Sequence, residues 1–168
     1  GVHVVWLKRD LRTRDHAPLA RAMQQAAADG HRVVVLHVFE PGLLSHPTTS
    51  SRHVQFQWQC LEDMAGTFDQ EAWPASFVRL HAPMLDVLDR LHAQTPVQSL
   101  HSHEETGVAW TFDRDKAVAA WCTRNQVSWF EEPQLGVQRG RTHRRGWVRT
   151  WHVNMARPLV HPGLKALQ

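Results

Sequence analysis

Val33-Val34-Val35-Leu36-His37-Val38-Phe39 constrains this chain more than any other stretch. Six of its seven residues are apolar, with none of the polar alternation of a strand that faces water on one side. Such a strand is buried on both faces, and sheets built from such strands are parallel, with helices packed over each side. Val4-Val5-Trp6-Leu7 is a second run of this type, and it passes straight into charge at Lys8-Arg9-Asp10-Leu11-Arg12. Asp15-His16-Ala17-Pro18-Leu19 then reads as a helix start. Asp15 is placed to cap the first free amides, and Pro18 falls in the first turn, where a missing N–H does no harm. Strand, charged loop and helix form the opening unit of an α/β domain, whose ligands bind at the carboxyl ends of the strands.

The same alternation continues. Leu19, Met23 and Ala26 recur at helical spacing, and Gly30 ends that helix. After the Val33 strand, Glu40-Pro41-Gly42 leads into a polar loop over 46–51. A helical stripe follows at Val54, Trp58, Leu61, Ala65 and Phe68, with Trp58 expected in the core. Phe77 to Leu80 is a third strand, and Pro83 opens a helix with Met84, Val87, Leu88 and Leu91 inside. Val97 to His101 is a fourth strand, followed by the acidic loop from Ser102 to Gly107. Thr111 is expected to cap a helix through Ala117, Val118 and Trp121, the last of these another core position. Val127 to Phe130 reads as an edge strand. Five alternations with right-handed crossovers predict a Rossmann-like, doubly wound parallel sheet in the order 3-2-1-4-5 with helices on both faces.

That order reverses direction between strands 1 and 4, and the crevice at the reversal is the expected site. It would be lined by Lys8, Arg9 and Asp10 from one loop and His103, Glu104 and Glu105 from another, with Phe39 and Glu40 on the wall. Two outcomes stay open at this point. Either a pocket remains there, or Arg9 closes on Glu104 or Glu105 as an ion pair and leaves none. The first loop has no glycine, so it lacks the G-x-G-x-x-G of a dinucleotide fold.

Composition narrows the classes. A length of 168 residues and 42% hydrophobic content suit one domain with an extension. No apolar run approaches the ~20 residues that span a bilayer, and no charged-then-apolar leader opens the chain. Cys60 and Cys122 form no C-x-x-C, so free thiols in a reducing cytoplasm are expected. Among 13 histidines, His101-x-His103 places two imidazoles on one strand face, but no further ligands stand at metal-site spacing, and no metal is expected. The chain has eight tryptophans and no tyrosine. From Pro133 onward no period is sustained, and Arg139, Arg141, Arg144, Arg145 and Arg149 crowd around Gly140, Gly146 and Trp147. Such a stretch contacts nucleic acid, or is a solvated connector whose Trp147 and Trp151 pack on a neighbouring domain; the connector is the favoured reading.

Val5-Trp6-Leu7-Lys8-Arg9-Asp10-Leu11-Arg12-Thr13-Arg14-Asp15-His16-Ala17-Pro18-Leu19 resembles the opening of the photolyase/cryptochrome family: an aromatic, then K/R-x-D-L-R, then D-N/H and small residues. Ser102-His103-Glu104-Glu105-Thr106-Gly107, with Trp110-Thr111-Phe112 and Arg114-Asp115, is similar to the fourth-strand loop and helix of a bacterial branch of that family. The resemblance implies a photolyase-like antenna domain over residues 1–131 and a linker over 132–168 towards a helical flavin domain. It implies a parent deoxyribodipyrimidine photolyase that splits pyrimidine dimers in DNA by light, with FAD and the DNA contact in that C-terminal domain, bound in cis. No membrane partner is implied, and this part alone is expected to be inactive. The antenna pocket of the family lies at the carboxyl edge of the sheet. Trp110 and Thr111 stand where folate-binding members carry Asn-Glu, so a flavin- or lumazine-type chromophore, or none, is expected in preference to a folate. The alternatives are the same domain of a cryptochrome photoreceptor, or an independent nucleotide-binding α/β domain.

Overall fold

The computed structural model describes residues 1–134, 136–140 and 142–162. Along the chain these form β1 (Val2–Leu7), α1 (Ala17–Asp29), β2 (Arg32–Phe39), the single turn α2 (Pro41–Leu44) and α3 (Ser51–Gln70). They continue with β3 (Ala75–His81), α4 (Met84–Gln94), β4 (Val97–His103), α5 (Ala109–Arg124), β5 (Ser128–Glu132) and α6 (Trp147–Met155). The strands make one parallel sheet in the order β3-β2-β1-β4-β5, as the apolar runs predict. β2 sits inside the sheet between β1 and β3, with His37 opposite Leu7 in register.

Alternate residues of the central strands feed two cores. Val5, Leu7, Val33 and Val35 pack under α1 and α3 with Leu19, Met23, Leu61 and Phe68. Val4, Trp6, Leu36 and Leu100 face α4 and α5 with Met84, Leu88, Val118 and Trp121. Helices on both faces are what keep a parallel sheet out of water. Gly30 ends α1 at φ 72°, a left-handed conformation that glycine takes without a Cβ clash.

Four local expectations are corrected. Asp15 does not cap α1. Its own φ is 49°, and the cap is His16, whose Nδ1 accepts the Leu19 N–H at 3.1 Å. Thr111 does not cap α5 either, because the helix starts at Ala109 and Thr111 lies buried inside the first turn, donating to Val108 O at 2.7 Å. Trp58 is 46% exposed rather than core. Only the second half of α3 lies on the sheet, through Leu61, Met64 and Phe68, while the first half overhangs the carboxyl edge, where Trp58 meets Phe39 at 6.0 Å and the Arg79 guanidinium at 4.9 Å. Finally, the stretch read as lacking a period carries the nine-residue helix α6, none of whose residues is buried.

Candidate chromophore crevice at the carboxyl edge of the sheet

The overhang of α3 and the turn of α2 raise a wall beyond the ends of β1 and β2. With the loop after β4 and the start of α5 opposite, they enclose a cavity of about 570 Å³. Phe39, Leu43 and Phe56 give it apolar surface, and Arg9, Arg12, Glu40, Glu105 and Arg114 give it charge. Ligand sites are of this size and character, mostly apolar with a few convergent polar groups. A second cavity, about 430 Å³, lies along the face of β2 and β3 beside α4.

Most of the charge in the crevice is paired. Lys8 Nζ reaches Asp115 Oδ2 at 2.8 Å and Glu131 at 3.7 Å, and it lies 4.4 Å from the Trp6 ring centroid. Burial pushes the Lys8 ammonium below its usual value, and the Asp115 carboxylate opposes that shift. Arg114 bonds Glu40 Oε2 at 2.8 Å, grips Asp115 Oδ1 through Nε and Nη2 at 3.0 and 2.9 Å, and also lies over the Trp6 ring, 4.6 Å from its centroid. Glu40 in turn accepts the Met84 N–H at 3.1 Å, which ties the end of β2 to the first turn of α4. Arg9 Nε approaches Glu105 Oε1 at 3.3 Å. The ion pair and the cavity therefore coexist, because Arg9 stands at the mouth, 59% exposed, and does not fill the interior.

Arg12 differs from its neighbours. Its guanidinium bonds only main-chain oxygens, those of Arg14 and Asp15 at 2.9 to 3.2 Å, and has no carboxylate partner among the described residues. It is a cation on the cavity lining without a counter-charge, the arrangement that suits a phosphate or carboxylate.

Of the residues named from the sequence, Lys8, Arg9, Phe39, Glu40 and Glu105 line the cavity, while Asp10, His103 and Glu104 do not. Glu104 extends the strand ladder, its N–H donating to Glu132 O at 2.9 Å. Asp10 and His103 are buried behind the cavity in a cluster with His16. Asp10 Oδ1 accepts the Lys8 N–H at 2.8 Å, and Oδ2 meets His103 Nδ1 at 2.6 Å and His16 Nε2 at 2.8 Å. The His16 approach is close but poorly aligned, so Nε2 gains more from the charge than from a directed hydrogen bond. Burial alone would raise the Asp10 carboxyl, yet the His103 hydrogen bond and the close His16 ring outweigh it and hold the group well below the usual carboxylate range.

The three ligand atoms lie within 4.8 Å of one another, a separation that would admit a metal ion. Protonation argues otherwise. His16 Nδ1 accepts the Leu19 N–H, so in a neutral ring the proton sits on Nε2, and a protonated nitrogen cannot ligate. The cluster is a helix cap stitched to the first loop. Arg12, Arg114 and the α3 residues Phe56 and Gln57 also line the cavity and are not among the residues named from the sequence. Arg12 and Arg114 stand inside the two quoted motifs, which was the available signal.

The comparisons with known proteins bear on the family and the fold. The family model described as DNA photolyase matches residues 3–136. The chain belongs to the DNA photolyase family. Among solved structures it resembles the cryptochrome of Synechocystis sp. PCC6803, at 17% identity and TM-score 0.68, over 79% of this chain and 27% of that one. It also resembles an archaeal photolyase from Sulfolobus tokodaii, at 17% identity and TM-score 0.73, over 95% of this chain and 36% of that one. The latter is described with two FAD molecules and a novel light-harvesting cofactor. At that identity the likeness shows the fold, and the chain spans 27% and 36% of those proteins. No curated protein matches it. No helix among the described residues is long and apolar enough to cross a membrane.

Proposed function

We propose that this chain is the light-harvesting domain of a deoxyribodipyrimidine photolyase, and that its carboxyl-edge crevice holds a planar, anionic flavin- or lumazine-type chromophore. The observation that carries the reading is the cavity itself: an aromatic-walled space at the reversal of strand order, with one uncompensated guanidinium, Arg12, on its lining. Arg12 and Arg9 would take the phosphate or carboxylate, and the ring would lie against Phe39 and Phe56. The light-harvesting cofactor described for the Sulfolobus tokodaii protein supports a flavin over a folate. In this reading the chromophore supplies light absorption. The residues of the chain supply orientation, exclusion of water and a fixed charge. Repair of pyrimidine dimers in DNA, with FAD, belongs to a flavin domain in cis. The Synechocystis likeness supports a second reading, in which the same domain serves a cryptochrome photoreceptor.

Titration of the purified chain with flavin mononucleotide, a lumazine, a deazaflavin and a folate, followed by ligand fluorescence, tests the pocket. Micromolar binding of the flavin or lumazine is expected, weakened roughly tenfold or more by Arg12→Ala, in line with a charge-assisted hydrogen bond. Failure of all four ligands to bind would leave the crevice a structural feature.

A further inference from the structure

The ionised side chains are segregated along the sequence. Seven of the 19 Lys and Arg stand after Glu132, and none of the 16 Asp and Glu does. Residues 1–132 thus carry a formal charge of −4 and residues 133–168 carry +7, so the basic balance of the chain resides entirely in its last stretch. Six of those seven cations are arginine.

The fold fastens this stretch at two places. Arg139 takes both oxygens of Glu131 at 2.9 and 3.0 Å and the main-chain oxygen of Glu105 at 2.9 Å. Further on, the Val160 N–H donates to Asp15 Oδ1 at 3.1 Å, while Val160 O accepts the His16 N–H at 3.1 Å. Between these anchorages runs α6, with no residue buried. Trp147 and Trp151 stand one turn apart on it, their rings 6.4 Å apart and inclined by 29°, both more than a third exposed. Trp147 Nε1 donates to Gly136 O at 3.0 Å, and a Cβ on Gly136 would run into the Trp151 ring, so the indole pair is set in place by its neighbour. Arg144, Arg149 and Arg157 are exposed and make no ion pair with the described residues.

Guanidinium groups beside flat, half-exposed indoles, in a stretch with no carboxylate, fit a polyanion whose units also present flat faces. Unpaired nucleic acid has both features, since guanidinium matches phosphate and every base can stack on an aromatic ring. An anionic lipid surface also matches the charge, and the exposed Val148, Val153 and Met155 would suit its apolar layer, but it calls neither for arginine over lysine nor for two indoles held in a stack.

We propose that the connector centred on α6 is a binding surface for single-stranded or locally unpaired nucleic acid. Arg144, Arg149 and Arg157 take phosphates, and Trp147 with Trp151 forms the stacking platform. The proposal does not depend on the chromophore reading.

The test is fluorescence anisotropy with the full 168-residue chain against a labelled oligo-dT, the matching oligo-U and an abasic strand of the same length. Oligo-dT or oligo-U binds with micromolar Kd, and affinity falls with salt at a log–log slope of about −2, as three neutralised phosphates on a single strand require. The abasic strand binds at least about fivefold more weakly, and Trp151→Ala removes that difference. Replacing Arg144, Arg149 and Arg157 together by Gln weakens binding about tenfold or more, whereas the matching Lys substitutions retain the salt dependence. Circular dichroism checks that each variant keeps its helices. No binding at about 50 mM salt, equal affinity for abasic and base-bearing strands, or preference for phosphatidylserine vesicles over the oligonucleotides would each overturn the proposal.

Discussion

His16 shows how much one side chain decides here. Its Nδ1 caps α1 and its Nε2 faces Asp10, so a single imidazole joins the first helix to the first loop. His16→Ala removes the cap and leaves the buried Asp10 carboxylate with one partner fewer, for a loss of roughly 2–3 kcal/mol in urea unfolding. His16→Asn keeps a cap acceptor, and the expected loss is about half of that. The buried histidines also set the pH response. Burial lowers His37 to about 4 and His101 to about 3, so both stay neutral in the fold while the unfolded chain protonates them near 6.5. Their contribution is complete above that value and is lost as pH falls through the window between 6.5 and 4. Each costs about 1.4 kcal/mol per pH unit within it, so stability at pH 5 is expected to lie roughly 2–4 kcal/mol below that at pH 7. The Asp10 carboxyl, held low, keeps its contribution throughout this window and loses it only in stronger acid. His37→Gln retains a donor for Leu7 O and should remove about half of the slope in a urea-denaturation series across pH.

At the scale of elements, α3 does two jobs along its length. Its second half seals the sheet and its first half walls the crevice, which is why Phe56 and Trp58 remain exposed while Leu61, Met64 and Phe68 are buried. Gly66 sits inside this helix with open space where a Cβ would go. Gly66→Ala is expected to raise stability by roughly 0.5–1 kcal/mol, read as a shift of the urea midpoint, because alanine costs less conformational entropy in a helix. Gly107 is the opposite case. A Cβ there would come within 2.5 Å of Arg9 Nη2 and 2.8 Å of Glu105 Oε1 and Thr111 Oγ1. Gly107→Ala should therefore push Arg9 off Glu105 at the crevice mouth. The expected result is weaker chromophore binding in the fluorescence titration, with global stability changed by no more than about 1 kcal/mol since the side-chain ends can shift.

For the whole molecule, linkage provides a check on the proposed crevice ligand. A chromophore that binds only the folded chain stabilises it by about 2.7 kcal/mol at a hundredfold excess over Kd, so Tm should climb with flavin concentration. An unchanged Tm at saturating flavin would show that the cavity does not hold it. The photolyase reading also assigns repair to a domain beyond this one. The purified chain, illuminated with dimer-containing DNA, is accordingly expected to leave the dimers intact, as followed by chromatography of the digested DNA.

The strands and their parallel arrangement were legible in the sequence because hydrophobic period and continuous burial are local patterns, read within a window of about ten residues, and their order followed from the alternation and the right-handed crossover rule. The reversal of strand order pointed to the carboxyl edge of the sheet, where a cavity lies, and five of the eight residues named for the crevice line that cavity. The details that escaped are those in which distant residues choose one another. Lys8 and Asp115 meet across 107 positions, and Arg114 and Glu40 across 74. Either Asp15 or His16 could cap α1 by chemistry, and backbone conformation together with the nearby Val160 N–H decided between them. Trp58 has helical spacing suited to a core, but the sheet ends before reaching it. Local pattern determines which segments become strands and helices. The lengths of the layers, the crossovers and the register determine which side chains those elements bring together, and only the folded chain contains that information.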